Sequence, residues 1–180
     1  VEPDINHPNH VFASGRTGLY EFTDGKLTHY YNKDNSILEA AVDRGTVLDN
    51  NYVLVHSLLS DENGKLWILN SQATHRSIIE MKDNQWIAHD QKPLNANGYS
   101  LSAMTGLMKD GQGRLWFVND FHETPAIVCY QPETDEVKMF SKPFTNQDGA
   151  EINLYYIRCI KEDLEHNLWI GTDQGPSYVT

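Results

Sequence analysis

The chain has 180 residues, 39% hydrophobic and 22% charged, a balance that belongs to a globular polypeptide with length enough to bury a core and not to a disordered one. With 14 basic against 25 acidic side chains it carries a formal charge of −11, which argues against nucleic acid and anionic membrane surfaces as partners. The apolar runs at 37–42 and 126–129 are far too short to cross a bilayer, so no membrane contact is expected of this segment.

In chain order, the pattern predicts short strands separated by turn residues. Val11-Phe12-Ala13-Ser14 reads as a strand, followed by strands at 18–22 and 26–31. Segment 35–42 is the single helix-like stretch. Strands at 53–59 and 65–70 flank a tight turn at 61–64, and after a loop a second pair, 77–81 and 85–89, is joined through Lys82-Asp83-Asn84. The series repeats at 104–109, 114–119, 126–130 and 137–141, and strands at 168–171 and 176–180 close the chain.

Leu-Trp recurs at Leu66-Trp67, Leu115-Trp116 and Leu168-Trp169, each time six residues after an Asp: Asp61, Asp110 and Asp163. The Trp spacings are 49 and 53 residues, and Phe12 stands 55 before Trp67. A period near fifty residues marks a propeller or solenoid. The expected fold is therefore all-β: a β-propeller arc of four-stranded antiparallel blades, two complete and two partial, with blade parts at 10–31, 53–90, 102–141 and 155–180. Propellers close with about four to eight blades. The chain is thus expected to be a fragment of a larger ring, its open ends covered by the remaining blades or by another chain. Phe12, Trp67, Trp116 and Trp169 share one register and are expected between blades. Ser57, Gly106 and Cys159, each ten residues before a Trp, suggest a first strand crowded by its neighbours.

Residues 163–175 spell Asp-x-x-Gly-x-Leu-Trp followed by Ile-Gly-Thr-x-x-Gly, complete except for His166 in the Gly position. This motif resembles the two-component regulator propeller repeat, and such repeats cover essentially the whole chain. The resemblance implies a periplasmic or extracellular sensor domain of the kind found in bacterial hybrid two-component histidine kinases, many of which detect oligosaccharides. It implies a ligand-binding module and no catalyst, with any kinase activity in a separate domain, and it transfers no catalytic residue and no cofactor. Two other readings stay open: an extracellular propeller enzyme such as a polysaccharide lyase or glycosidase, and a structural interaction scaffold.

The repeated Asp residues superficially suggest calcium ligands, but they lack the acidic pattern of a calcium loop and read as acceptors for turn N–H groups. Cys129 and Cys159, thirty positions apart without CxxC spacing, read as buried free thiols, with a disulfide as the alternative. No metal site is expected. His56, Thr105 and Arg158 share one register of the first strand, where polar groups line an axis or pair across blades. The turns from first to second and from third to fourth strand are tight. The second-to-third loops and the crossing segments 32–51, 91–100 and 142–153 are long, and antiparallel order sends the two sets to opposite faces. The long-loop face is therefore the expected ligand surface, offering Asn70, His75, Arg76, Asn119, Asp120, Phe121 and His122.

Overall fold

A computed structural model describes residues 1–95 and 98–179, with the side chains of 178 and 179 outside the description. Residues 96 and 97 of the crossing segment and 180 of the last predicted strand thus lie outside it. Strands dominate, and one 3-10 turn at Lys92–Asn95 is the only helical element among the described residues. The chain divides into two compact units, Val1–Ser100 and Leu101–Thr180.

The first unit opens with a four-stranded antiparallel sheet of β1 (Glu2–Pro3), β2 (His10–Ser14), β3 (Leu19–Thr23) and β4 (Lys26–Tyr31). The two-residue β1, which sequence reading does not anticipate, pairs Glu2 with Phe12 and Pro3 with Val11. A short hairpin, β5 (Val42–Asp43) and β6 (Thr46–Val47), precedes the second sheet of β7 (Leu54–Ser60), β8 (Leu66–Ser71), β9 (Ile78–Lys82) and β10 (Gln85–His89). The β3–β4 and β9–β10 turns place Asp24-Gly25 and Asp83-Asn84 at positive φ, the conformation that two-residue hairpins favour. Phe12 and Leu19 of the first sheet pack with Val55, Leu58, Ile68 and Ile79 of the second, and Tyr31 and Trp86 cover the cluster at its edge. Their rings meet edge to face at 5.2 Å.

Segment 35–42 is not helical. The Asn32 side chain accepts from Asp34 N at 2.8 Å, and Asn35 accepts from Asn32 N at 2.8 Å while donating to Tyr30 O at 2.8 Å. Asn side chains thereby satisfy backbone groups that a helix would have to recruit. Leu38 and Ala41 are buried all the same.

The second unit repeats the plan. β11 (Met104–Lys109), β12 (Leu115–Asn119), β13 (Ala126–Gln131) and β14 (Glu136–Ser141) form a four-stranded sheet. A hairpin of β15 (Phe144–Thr145) and β16 (Glu151–Ile152) follows, then a three-stranded sheet of β17 (Ile157–Glu162), β18 (Leu168–Thr172) and β19 (Gly175–Val179). Trp116, Val118 and Met108 pack with Ile157, Ile160 and Ile170. β8 and β12 are buried at every position, which is why they read as nearly continuous apolar runs.

β7, β11 and β17 each carry a register shift, at Val55/Ser57, Thr105/Met108 and Ile157/Cys159, spanning the position of the recurring small residue. The recurring small residue therefore marks a bulge. Crowding is not the reason at Gly106, since a Cβ there would meet Cys159 Cα at an ordinary 3.8 Å; its φ of 70° is what favours glycine. Both cysteines are free, and Cys159 is exposed, against the expectation of two buried thiols.

The six-residue spacing from Asp to Trp has a direct cause. Asp110 Oδ1 accepts from Gln112 N and Arg114 N, both at 2.9 Å, while Oδ2 accepts the Trp116 indole N–H at 2.7 Å. Asp61 repeats this with Asn63 N at 2.9 Å, Lys65 N at 3.0 Å and the Trp67 indole at 3.3 Å. Asp163 does so with Glu165 N and Asn167 N at 2.9 Å and Trp169 at 2.7 Å. One carboxylate closes the turn and anchors the ring. Phe12, Trp67 and Trp116 are buried at 4%, 3% and 8% exposure, whereas Trp169 is 43% exposed.

The Trp169 indole, Asn167 and the turn amides hold the Asp163 carboxyl down to about 2. A depressed carboxylate stabilises the fold above its unfolded pKa, and that contribution fades as pH falls from near 3.8 through about 2. Carboxyl NMR should therefore show Asp163 titrating near 2, and an ordinary midpoint would remove the indole contact. In the same turn His166 holds a φ of 67°, where Gly64 and Gly113 stand in the other two. His166→Gly should raise stability by about 1 kcal/mol by relieving the left-handed strain, offset in part by the lost contact to Glu162. Urea titration checks the sign.

Candidate functional site

The seven residues expected at the ligand surface divide between the two units. In the first, Asn70 lies at the end of β8 and is fully buried. Its Oδ1 accepts from Glu39 N at 2.7 Å, and its Nδ2 donates to Glu39 O at 3.2 Å and Leu54 O at 3.3 Å. It clamps the crossing segment to the sheet and presents nothing to a ligand. His75 and Arg76 follow in the β8–β9 loop and are exposed. Their backbone amides donate to Glu39 Oε2 at 2.8 and 3.2 Å, and Arg76 Nη1 donates to Ile37 O at 3.0 Å. Glu39, which sequence reading passes over, organises this loop and lies 3.9 Å from the guanidinium. Long loop and crossing segment do share one face here.

In the second unit, Asn119 repeats the clamp from the equivalent position and is likewise fully buried. Its Oδ1 accepts from Ala103 N at 2.8 Å, and its Nδ2 donates to Thr124 O at 2.6 Å. The next three residues behave differently. Asp120 takes both its contacts from Arg158 Nη1, at 2.9 Å to each oxygen. That guanidinium lies 4.0 Å from the centre of the Tyr156 ring. His122 packs on Tyr156 at 6.1 Å between centroids and on Phe121 at 5.0 Å. Phe121, His122, Tyr156, Arg158 and Asp120 thus form one cluster, with the Arg158 and His122 side chains each 53% exposed. Three rings supply apolar planes, and the ion pair supplies donors and acceptors beside them.

Tyr156 is not among the sequence candidates, and Arg158 appears there only as a register position. The bulge in β17 and the crossing segment ahead of it bring both to the β12–β13 loop. His56, in the register of Arg158, instead bonds to Ser71 Oγ at 2.8 Å, and burial followed by the Arg16 charge lowers its pKa. Three groupings were not anticipated. Glu39 is one. His29, Tyr31 and Trp86 line a groove of about 620 Å³. The third is Asp4, His7 and His10, spaced Asp-x-x-His-x-x-His in the β1–β2 loop.

No family profile matches the sequence, and no curated protein matches it. Solved structures do. A bacterial surface component of the type IX secretion system, PorZ from Porphyromonas gingivalis, superposes with a TM-score of 0.81 at 19% identity, over 99% of this chain and 24% of that one. The extracellular domain of a proposed one-component system from B. thetaiotaomicron gives 0.53 at 15% identity, over 95% of this chain and 26% of that one. A luciferin-regenerating enzyme gives 0.59 at 15% identity, over 99% of this chain and 57% of that one. The fold is that of a β-propeller built from four-stranded antiparallel blades. The chain spans about a quarter of the length of the first two structures.

Proposed function

We propose that this chain is part of the ligand-recognition surface of a periplasmic or extracellular propeller sensor, that it binds and does not transform its ligand, and that the ligand is an oligosaccharide. The observation that carries this reading is the cluster of Phe121, His122 and Tyr156 beside the Arg158–Asp120 pair. A sugar ring has an apolar face that stacks on an aromatic plane and an equatorial rim of hydroxyls that need fixed donors and acceptors. The cluster offers both within one patch. Asp120 already balances the charge of Arg158, so a neutral sugar hydroxyl suits the pair better than a free anion would. The resemblance to two-component propeller repeats and the likeness to an extracellular one-component domain support the same class. A signalling partner outside this chain would read the bound state.

Calorimetry with a panel of oligosaccharides tests this. Tyr156→Ala and His122→Ala should each weaken binding about tenfold or more, equivalent to roughly 1.4 kcal/mol. His75→Ala and Arg76→Ala, in the other unit, measure whether the Glu39-organised loop also contributes. Unchanged affinity in both second-unit variants would place the site elsewhere.

A further inference from the structure

Asp4, His7 and His10 bring three ligand atoms together in one seven-residue stretch. Asp4 Oδ2 lies 3.0 Å from His7 Nδ1 and 2.8 Å from His10 Nδ1, and all three atoms lie within 4.8 Å of one another. We infer that this Asp-x-x-His-x-x-His loop is a binding site for a divalent transition-metal ion of the zinc class.

The stretch is shaped before any ion arrives. His7 N donates to Asp4 O at 3.2 Å, His10 N donates to His7 O at 2.9 Å, and Asp4 N donates to His10 O at 2.9 Å, so two successive turns place residues i, i+3 and i+6 on one side. Asn6 N occupies Asp4 Oδ1 at 2.9 Å, which leaves Oδ2 for the imidazoles. The other nitrogen of His10 is held by Glu21 Oε1 at 2.7 Å, and Glu21 is itself fixed by the Tyr31 hydroxyl at 2.7 Å. A carboxylate on the far nitrogen is the usual outer support of a metal-bound histidine: it takes the Nε2 proton and leaves the Nδ1 lone pair for the metal. The 2.8 Å gap between Nδ1 and Asp4 Oδ2 holds a proton when no ion is bound, and an ion would take that proton's place. A tetrahedral zinc ion with bonds of about 2.0 to 2.2 Å spaces its ligands roughly 3.3 Å apart. The His7 side chain, 75% exposed, can adjust its own 3.0 Å distance, while the 2.8 Å gap between Asp4 Oδ2 and His10 Nδ1 would have to open by about 0.5 Å. Two imidazoles and one carboxylate suit zinc better than calcium or magnesium, which favour oxygen donors.

The site joins the residue just after β1 to the first residue of β2. β1 pairs over only two residues, so an ion here would staple the start of the chain to its sheet. By strand order the loop lies at the end of the first sheet opposite the β2–β3 loop.

Titrating the chain with Zn²⁺, with Co²⁺ as a spectroscopic reporter, should show one ion per chain, visible Co²⁺ bands of low-symmetry coordination and slower amide exchange in residues 1–14. His7→Ala removes an exposed ligand without disturbing packing and should weaken Zn²⁺ binding by about 100-fold or more, while Glu21→Gln should weaken it by about 10- to 100-fold. Absence of stoichiometric binding, or equal affinity in wild type, His7→Ala and Asp4→Asn, would overturn the assignment and leave an ordinary imidazolium–carboxylate network.

Discussion

Replacing Trp116 by Ala is expected to lower the unfolding free energy by about 3 to 5 kcal/mol. The side chain is 8% exposed and packs with Ile157, Ile160 and Ile170, so truncation opens a cavity between two sheets of the second unit. It also removes the donor from Asp110, whose side chain is fully buried. Burial would raise the Asp110 pKa, but Trp116, Arg114 and two turn amides outweigh it and hold the carboxyl below its usual range. Trp116→Phe separates the two contributions: it keeps most of the packing and deletes the N–H, so it should cost about 1 to 3 kcal/mol. Denaturant titration reads both. A loss under about 1 kcal/mol for the Ala variant would contradict the inter-sheet core.

The second large effect belongs to Asn70. Asn70→Leu keeps the volume and removes the acceptor for Glu39 N and the donor to Glu39 O and Leu54 O. Each buried backbone group left without a partner costs about 1 to 3 kcal/mol, so the variant should lose roughly 3 kcal/mol or more. Amide exchange at Glu39 should accelerate in step. A near-neutral result would mean that the burial of Leu38 and Ala41 and the bonds from the His75–Arg76 loop to Glu39 and Ile37 suffice to hold the crossing segment.

The strands and hairpins were legible because apolar runs and turn residues are local signals, and the fifty-residue period supplied the fold class. Less local features were not. Segment 35–42 carries Ile37, Leu38 and Ala41 at helix-like intervals, yet their burial comes from contacts to strands far along the chain, with Glu39 pinned by Asn70 across 31 positions. Asn70 and Asn119 were expected at the ligand surface because they stand at the edge of a long loop. Both lie three residues after a Trp, and the register argument that identifies the Asp residues as scaffold applies to them equally. Trp169 shows the opposite limit, since its register matches Trp67 and Trp116 but its burial does not. Register describes a position in a strand, and coverage depends on what packs over it. The cluster around Tyr156 was half legible: Asp120, Phe121 and His122 stood out as loop residues, whereas Tyr156 and Arg158 joined them only through tertiary packing.

Phe121, His122, Tyr156 and the Asp120–Arg158 pair are proposed to form one sugar-binding patch. Side-chain and amide NMR of the isotope-labelled chain, recorded while an oligosaccharide that binds by calorimetry is added, tests it most directly. Saturable shifts are expected, concentrated at Phe121, His122, Tyr156 and the Arg158 guanidinium, with the Asn70 and Asn119 side-chain amides keeping their hydrogen-bonded positions. Saturable shifts that leave these four residues untouched would contradict it.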